Sequence, residues 1–159
     1  MLRISKLTDY GTVVLAHLAA TPDGLLTASQ VAGATRIALP TVSKLLKSFH
    51  RAGLVESARG THGGYRLARP AAQISAAQII DAIDGPVAIT ECSGQHSACD
   101  IAADCRTGSA WQRINGAIRG SLAGISLAQL CGQEVFATWR PALGVALRPG
   151  AANRAQLRG

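Results

Sequence analysis

The sequence predicts a mainly α-helical fold with a small β wing: a winged helix-turn-helix domain plus a long dimerisation helix. Three observations predict it. Apolar residues recur at helical spacing behind clear capping signals. A Gly-rich loop between two short strand-like runs directly follows the helix with the clearest stripe. A late apolar stripe, from Trp111 to Ile125, exceeds what the small front domain needs for its own core.

The first helix is expected over residues 8–20. Tyr10, Val13, Val14, His17 and Leu18 fall at i, i+3, i+4, i+7 and i+8. The same stretch, "MLRISKLTDYGTVVLAHLAA", resembles a signal peptide, with early positive charge, an apolar run and small residues at its end. Asp9 and His17 interrupt it and the apolar run is short, so the helix is the preferred reading. "TPDG" is a turn. In "TASQ", Thr27 and Gln30 form a capping box for a short helix over 28–34.

The stretch "RIALPTVSKLLKSFHRAGLV" carries the next helix. Pro40 suits the first turn, where its missing N–H costs nothing. Val42, Leu45, Leu46 and Phe49 should face a core, while Thr41, Ser43, Lys44, Lys47 and Ser48 fall on other faces. Gly53 is a left-handed stop. A short helix, a tight turn and a helix with a small polar, basic front make a helix-turn-helix pattern. A small helical bundle with a solvated lysine face is the plainer alternative. Strands are expected over 54–58 and 65–68, and the loop between them carries Arg59 and His62. A guanidinium on a thin wing can enter a minor groove or clamp phosphates, although in isolation it reads as a solvated loop charge. Thr41, Ser43, Lys44, Lys47, Arg59 and His62 are therefore the candidate DNA-contacting residues of a domain over residues 1–70.

Residues 71–108 form a linking helix and a cysteine loop. Ser75 and Gln78 make a second capping box, with Ile74 and Ile79 placed as a hydrophobic staple. Gly85 and Pro86 end this helix, and "VAIT" reads as a short extended piece. In "SAWQ", Ser109 and Gln112 are expected to open the last long helix, running to about Gly124 or beyond. Residues 109–130 are the expected dimerisation region, with Trp111, Ile114, Ile118, Leu122 and Ile125 as its seam. Gly116, Gly120 and Gly124 recur within it, either weakening the helix or permitting close approach. The alternative is a helix folded back on its own domain. Residues 131–159, with two prolines and four spaced arginines, read as a mobile basic tail.

Charge agrees with two jobs. The 159-residue chain carries a net +7. Residues 1–70 hold nine Lys/Arg against three Asp/Glu, residues 71–110 one against five, and residues 111–159 six against one. The basic front favours a polyanionic partner. No run is long enough to span a membrane, so a cytoplasmic protein with reduced thiols is expected. An enzyme is not expected. The sequence shows no Ser/His/Asp set, no phosphate-binding glycine loop before a helix, and no paired catalytic carboxylates.

"CSGQHSACDIAADC" places Cys92, Cys99 and Cys105 in a polar loop, and Cys131 is the only other cysteine. No close Cys-x-x-Cys pair is present, so zinc-ribbon and finger patterns fit poorly. Three thiolates on a polar loop can converge on a soft metal centre. Residue chemistry leaves an iron–sulfur cluster, zinc and a redox thiol open.

Together, "LRISKLTDYG", "LPTVSKLLKSFHRAGLVESARGTHGGYRLA", "ISAAQIIDAIDGP" and the three-cysteine loop resemble the IscR-like winged-helix regulators. "TECS", "WQRIN" and "ISLAQL" bring the likeness closest to regulators of SUF-system iron–sulfur cluster assembly. The likeness covers about residues 1–130. It implies a homodimeric transcriptional repressor on double-stranded DNA, sensing iron–sulfur status through a cluster on Cys92, Cys99 and Cys105. A 2Fe–2S cluster is implied ahead of a 4Fe–4S one. It also implies that Thr41, Ser43 and Lys44 meet the major groove and Arg59 the minor groove. Some relatives carry a histidine ligand where this chain has Gly108. In others an acidic residue of the partner subunit completes the site, and Asp9 matches that position; His96 and Cys131 are its rivals. The first cysteine gap is one residue longer than in IscR. The alternatives are a thiol or nitric-oxide sensor of the same fold, and an iron–sulfur carrier that binds no DNA.

Overall fold

The computed structural model describes residues 4–60, 62–90, 93, 105 and 107–132. Helix α1 (Lys6–Ala19) begins two residues before its expected start because Ser5 caps it: the Thr8 amide donates to the Ser5 hydroxyl at 3.1 Å. Its buried face is Gly11, Val14, Leu15 and Leu18. The expected stripe ran through Val13, which is 44% exposed. Both stripes obey helical spacing, so the neighbours made the choice. A Cβ at Gly11 would come within 2.5 Å of Ile83 Cδ1 and 2.8 Å of Phe49 Cζ. The helix backbone lies against those side chains, and this is the face that turned inward.

Thr27 and Gln30 form the expected capping box at the head of α2 (Ala28–Thr35). Arg36 closes that helix in the left-handed region, with φ 57, and turns the chain toward α3 (Leu39–Arg51). Pro40 sits in the first turn of α3, and Val42, Leu45, Leu46 and Phe49 are buried as the period required. Gly53 takes φ 69 just past its end.

Strands β1 (Val55–Ala58) and β2 (Gly64–Leu67) pair antiparallel, with Val55 opposite Leu67 and Ser57 opposite Tyr65. Leu26 adds a short third bridge. Its amide donates to the Tyr65 carbonyl (3.0 Å), and the Tyr65 amide donates back (2.8 Å). The wing is therefore fixed to the chain before α2, and not only to α3. Arg69 holds its base by donating to the carbonyls of Gly53 and Gln73, both at 3.2 Å.

A 3₁₀ turn (Ala71–Gln73) leads to α4 (Ala76–Ile83), where the Ser75–Gln78 capping box forms and Ile74 and Ile79 are buried. Among the described residues the "VAIT" stretch pairs with no strand.

Helix α5 (Gly108–Ala123) starts one residue too early for Ser109 to cap it. Its N-cap is Thr107, with no side-chain cap bond. The Ala110 and Trp111 amides both donate to the Thr107 carbonyl (3.1 and 3.2 Å), so Ser109 already lies in the first turn. The long helix stops at Gly124. A separate helix, α6 (Leu127–Leu130), follows behind its own capping box of Ser126 and Gln129. The Leu127 amide donates to the Ile74 carbonyl (2.7 Å) and the Ala76 amide to the Ile125 carbonyl (2.8 Å). Leu127 is fully buried in one core with Val14, Leu18, Val42, Phe49 and Ile74. Among the described residues no helix is long and apolar enough to cross a membrane.

Candidate nucleic-acid interface and cysteine loop

Four buried apolar residues orient α3, so its remaining faces are set by the helical period. Lys44 and Lys47 are exposed, while Thr41 and Ser43 are half-buried. Leu39, at the head of α3, is also exposed. Sequence reading gave it no role, although an exposed methyl group there could meet a thymine methyl. The wing tip is thin for a steric reason. A Cβ at Gly63 would approach the Ala58 carbonyl oxygen to 2.5 Å, and Gly60 takes φ 112. Arg59 and His62 flank this glycine turn and are exposed. Arg66 is paired to Glu56 across the strands, so it is not a second free wing cation.

Of the loop thiols, Cys92 and Cys99 lie outside the described residues, as do His96 and the tail beyond residue 132. Cys105 is half-buried just before α5. Its Sγ is 3.4 Å from Thr107 Oγ1. The Thr107 hydroxyl and then the Thr107 amide pull the thiol below its ordinary pKa; desolvation opposes them, and the Gly108 amide adds the least. Cys131 is the reverse case, with burial pushing its thiol up. Cys105 is thus the better prepared of these two to act as a thiolate, the form that binds metal or attacks. Asp9 is exposed in the first turn of α1. Among the described residues no three His, Cys, Asp or Glu side chains gather as a metal site.

The expected seam divides. Trp111 and Ile114 are 41% and 46% exposed. Ile118 and Leu122 instead join Ile4, Ile80, Pro86 and Val87 around a cavity of about 300 Å³. Ile125 is half-buried. The lower half of the stripe therefore lines a groove shared with α4 and residues 84–88, and the upper half is exposed. Sequence reading missed two polar anchors on the same helix. Asn115 is buried and bonded to the main chain at Val87, Ile89 and Ser93, and Arg119 grips Asp81 of α4 with both terminal nitrogens (3.1 and 2.9 Å). The carboxylate holds the guanidinium above its ordinary pKa. The only sequence signal was a polar residue beside an apolar stripe.

Comparison with known proteins agrees with this architecture. The Rrf2 family, described as iron-dependent transcriptional regulators, matches residues 4–133. A Neisseria meningitidis serogroup A protein, named as a candidate HTH-type transcriptional regulator, is 37% identical over 111 residues, covering 70% of this chain and 74% of its own. A Haemophilus influenzae protein of similar name is 32% identical over 129 residues, covering 79% and 85%. Among solved structures, CymR (YrzC), the global cysteine regulator of B. subtilis, superposes with a TM-score of 0.64 at 26% identity, covering 85% of this chain and all of its own. T. potens IscR superposes at 0.61 and 26% identity, covering 87% and 93%. With its helix-turn-helix, wing and family match in agreement, the chain belongs to the Rrf2 family and is an IscR-like, DNA-binding transcriptional regulator, not an enzyme.

Proposed function

We propose that this chain is a homodimeric cytoplasmic repressor that reports iron–sulfur status to the promoter of the cell's SUF cluster-assembly genes. The observation that carries the reading is the three-cysteine loop ending at Cys105, whose sulfur meets Thr107 at the head of α5, in a family of iron-dependent regulators. The likeness to T. potens IscR points the same way. Cys92, Cys99 and Cys105 would hold the cluster, a 2Fe–2S centre ahead of 4Fe–4S, and Asp9 of the partner subunit would complete it. The donor at hand fits such a group, because the Thr107 hydroxyl beside Cys105 Sγ draws the thiol below its ordinary pKa. When bound, the cluster supplies an oxidant- and iron-sensitive centre. Thr41, Ser43 and Lys44 would read the major groove, Lys47 would meet phosphate, and Arg59 with His62 would engage from the wing. Repression would hold while clusters suffice and relax when the cluster is lost. The size of that response is bounded by the difference in cluster affinity between the DNA-competent and DNA-incompetent states.

Likeness to the cysteine regulator CymR supports a second reading of the same fold, a thiol or nitric-oxide sensor acting through Cys105 without a stable cluster. Nothing in the family match supports a carrier that binds no DNA. Anaerobic purification with iron and sulfide counts, followed by mobility shift on a SUF promoter before and after chelation, separates the readings. Iron and sulfide in equal proportion, with operator affinity changed by chelation, is the expected result. Iron-free protein whose operator binding responds to oxidant or nitric oxide would replace it with the second reading.

A further inference from the structure

Helix α5 buries an amide and exposes a tryptophan, the reverse of the usual order. Asn115 is its only buried residue and is 6% exposed. Its side chain is committed to the chain just ahead of the cysteine loop. Oδ1 accepts from the Ile89 amide (3.3 Å), and Nδ2 donates to the carbonyls of Val87 (3.0 Å) and Ser93 (3.4 Å). Val87 and Ile89 lie in neither helix nor strand, so their main-chain groups need a partner from elsewhere. Ser93 also closes a local turn, its hydroxyl donating to the Thr90 carbonyl at 2.8 Å. In the sequence Ser93 directly follows Cys92. At the other end of the loop, Cys105 rests beside Thr107 at the start of the same helix.

We propose that Asn115 is a positioning residue of the cysteine loop: it docks the main chain at Ser93 onto α5, so that both ends of the loop are held by one helix. That helix is in turn tied to the DNA-reading unit one turn further on, where Arg119 grips Asp81 of α4. Helix α4 packs against α3. Ser93, Asn115, α5, the Arg119–Asp81 pair, α4 and α3 form one contiguous set of contacts, the physical form a coupling route takes. The assignment rests on the proposed function in treating the loop as the sensing element, but its first test needs neither cluster nor DNA.

The test uses the full chain with Cys99, Cys105 and Cys131 each replaced by serine, leaving Cys92 as the only thiol. Asn115→Asp keeps the acceptor for Ile89 but replaces both donations with a carboxylate facing two carbonyls. Alkylation of Cys92 by iodoacetamide should rise roughly three- to tenfold, the change in opening that loss of one net hydrogen bond gives. Hydrogen exchange at the Ile89 amide should stay slow. An unchanged Cys92 rate overturns the assignment. So does an equal acceleration at Ile89, because that signature belongs to general loosening. Wild-type protein supplies a check without any variant: an Ile89 amide exchanging like open chain overturns it as well. In the cysteine-intact protein, Asn115→Asp should collapse the operator-affinity difference between loaded and chelated forms, which lies at about 5- to 150-fold in typical coupled systems. A wild type with no such difference ends the sensing reading, while Cys92 and Ile89 still decide Asn115.

Discussion

Arg59 and Lys47 illustrate how two exposed cations differ by position. Arg59 stands at a wing tip thinned by Gly60 and Gly63, whereas Lys47 lies on the body of α3. Arg59→Ala should weaken operator binding by about 1–3 kcal/mol if the guanidinium reads a groove. Lys47→Ala should weaken specific and non-specific DNA alike and reduce the salt slope by about one. Titration of fluorescent operator and random duplex at several salt concentrations measures both. An Arg59 variant with unchanged affinity would remove the wing from DNA binding. The thiols make a second contrast. Cys105 is drawn below its ordinary pKa by Thr107 and Cys131 is pushed above it by burial. In the iron-free protein, alkylation of Cys105 should persist to lower pH than that of Cys131. A depressed thiol pKa favours the folded state above the unfolded pKa, and that contribution is lost as pH falls through the folded pKa. Thr107→Val removes the hydroxyl and should move the Cys105 midpoint upward. An unmoved midpoint would show that Thr107 does not hold the thiolate.

Among the elements, α5 carries the most divided work. Its lower residues Ile118 and Leu122 line a pocket with Ile4, Ile80 and Val87, while Trp111 and Ile114 are exposed. Among the described residues, a Cβ at Gly116 or Gly120 would meet nothing within 4 Å, so no approach among them requires those glycines. An aspartate at Ile118 would disturb both the fold and any seam. Ile114→Asp is the cleaner probe of the proposed dimer, because Ile114 is exposed in the single chain. A charge buried in an apolar seam without a partner is costly. Sedimentation should show this variant as a monomer with an unchanged circular dichroism spectrum. A dimer that persists would move the interface off the upper half of α5.

On the scale of the whole molecule, the chain does not leave the front domain behind after the hairpin. Leu127 returns to the core beside Ile74, and the Ile125 carbonyl accepts from Ala76. The segment expected to serve dimerisation thus ends by closing the core under α1 and α4. Leu127→Ala should destabilise the folded chain by about 2–5 kcal/mol, the usual cost of a buried leucine truncated to alanine. Urea unfolding measures it. A loss below about 0.5 kcal/mol, the ordinary range for surface changes, would show that α6 contributes nothing to the core. Such a return also ties the C-terminal half of α5 to the DNA-reading unit twice, through Arg119–Asp81 and through α6.

Sequence alone determined the elements whose signals are local. The capping boxes at Thr27 and Ser75, the stripe of Val42, Leu45, Leu46 and Phe49, and the stop at Gly53 each depend on residues within a turn or two, and each is present. The Ser126–Gln129 box was legible by the same rule but was absorbed into a longer expected helix. Tertiary structure decided which of two valid stripes α1 buries, because Ile83 and Phe49 lie close only after α3 and α4 have folded against Gly11. It decided that Ile118 lines a pocket with Ile80 of α4 while Ile114 is exposed. It also made Asn115 the partner of the main chain at Val87, Ile89 and Ser93, since the worth of a buried amide lies in the main-chain groups that reach it, here from more than twenty residues away. Periodicity and capping act between near neighbours along the chain. Burial and polar satisfaction act between near neighbours in space, and only the folded chain brings those together.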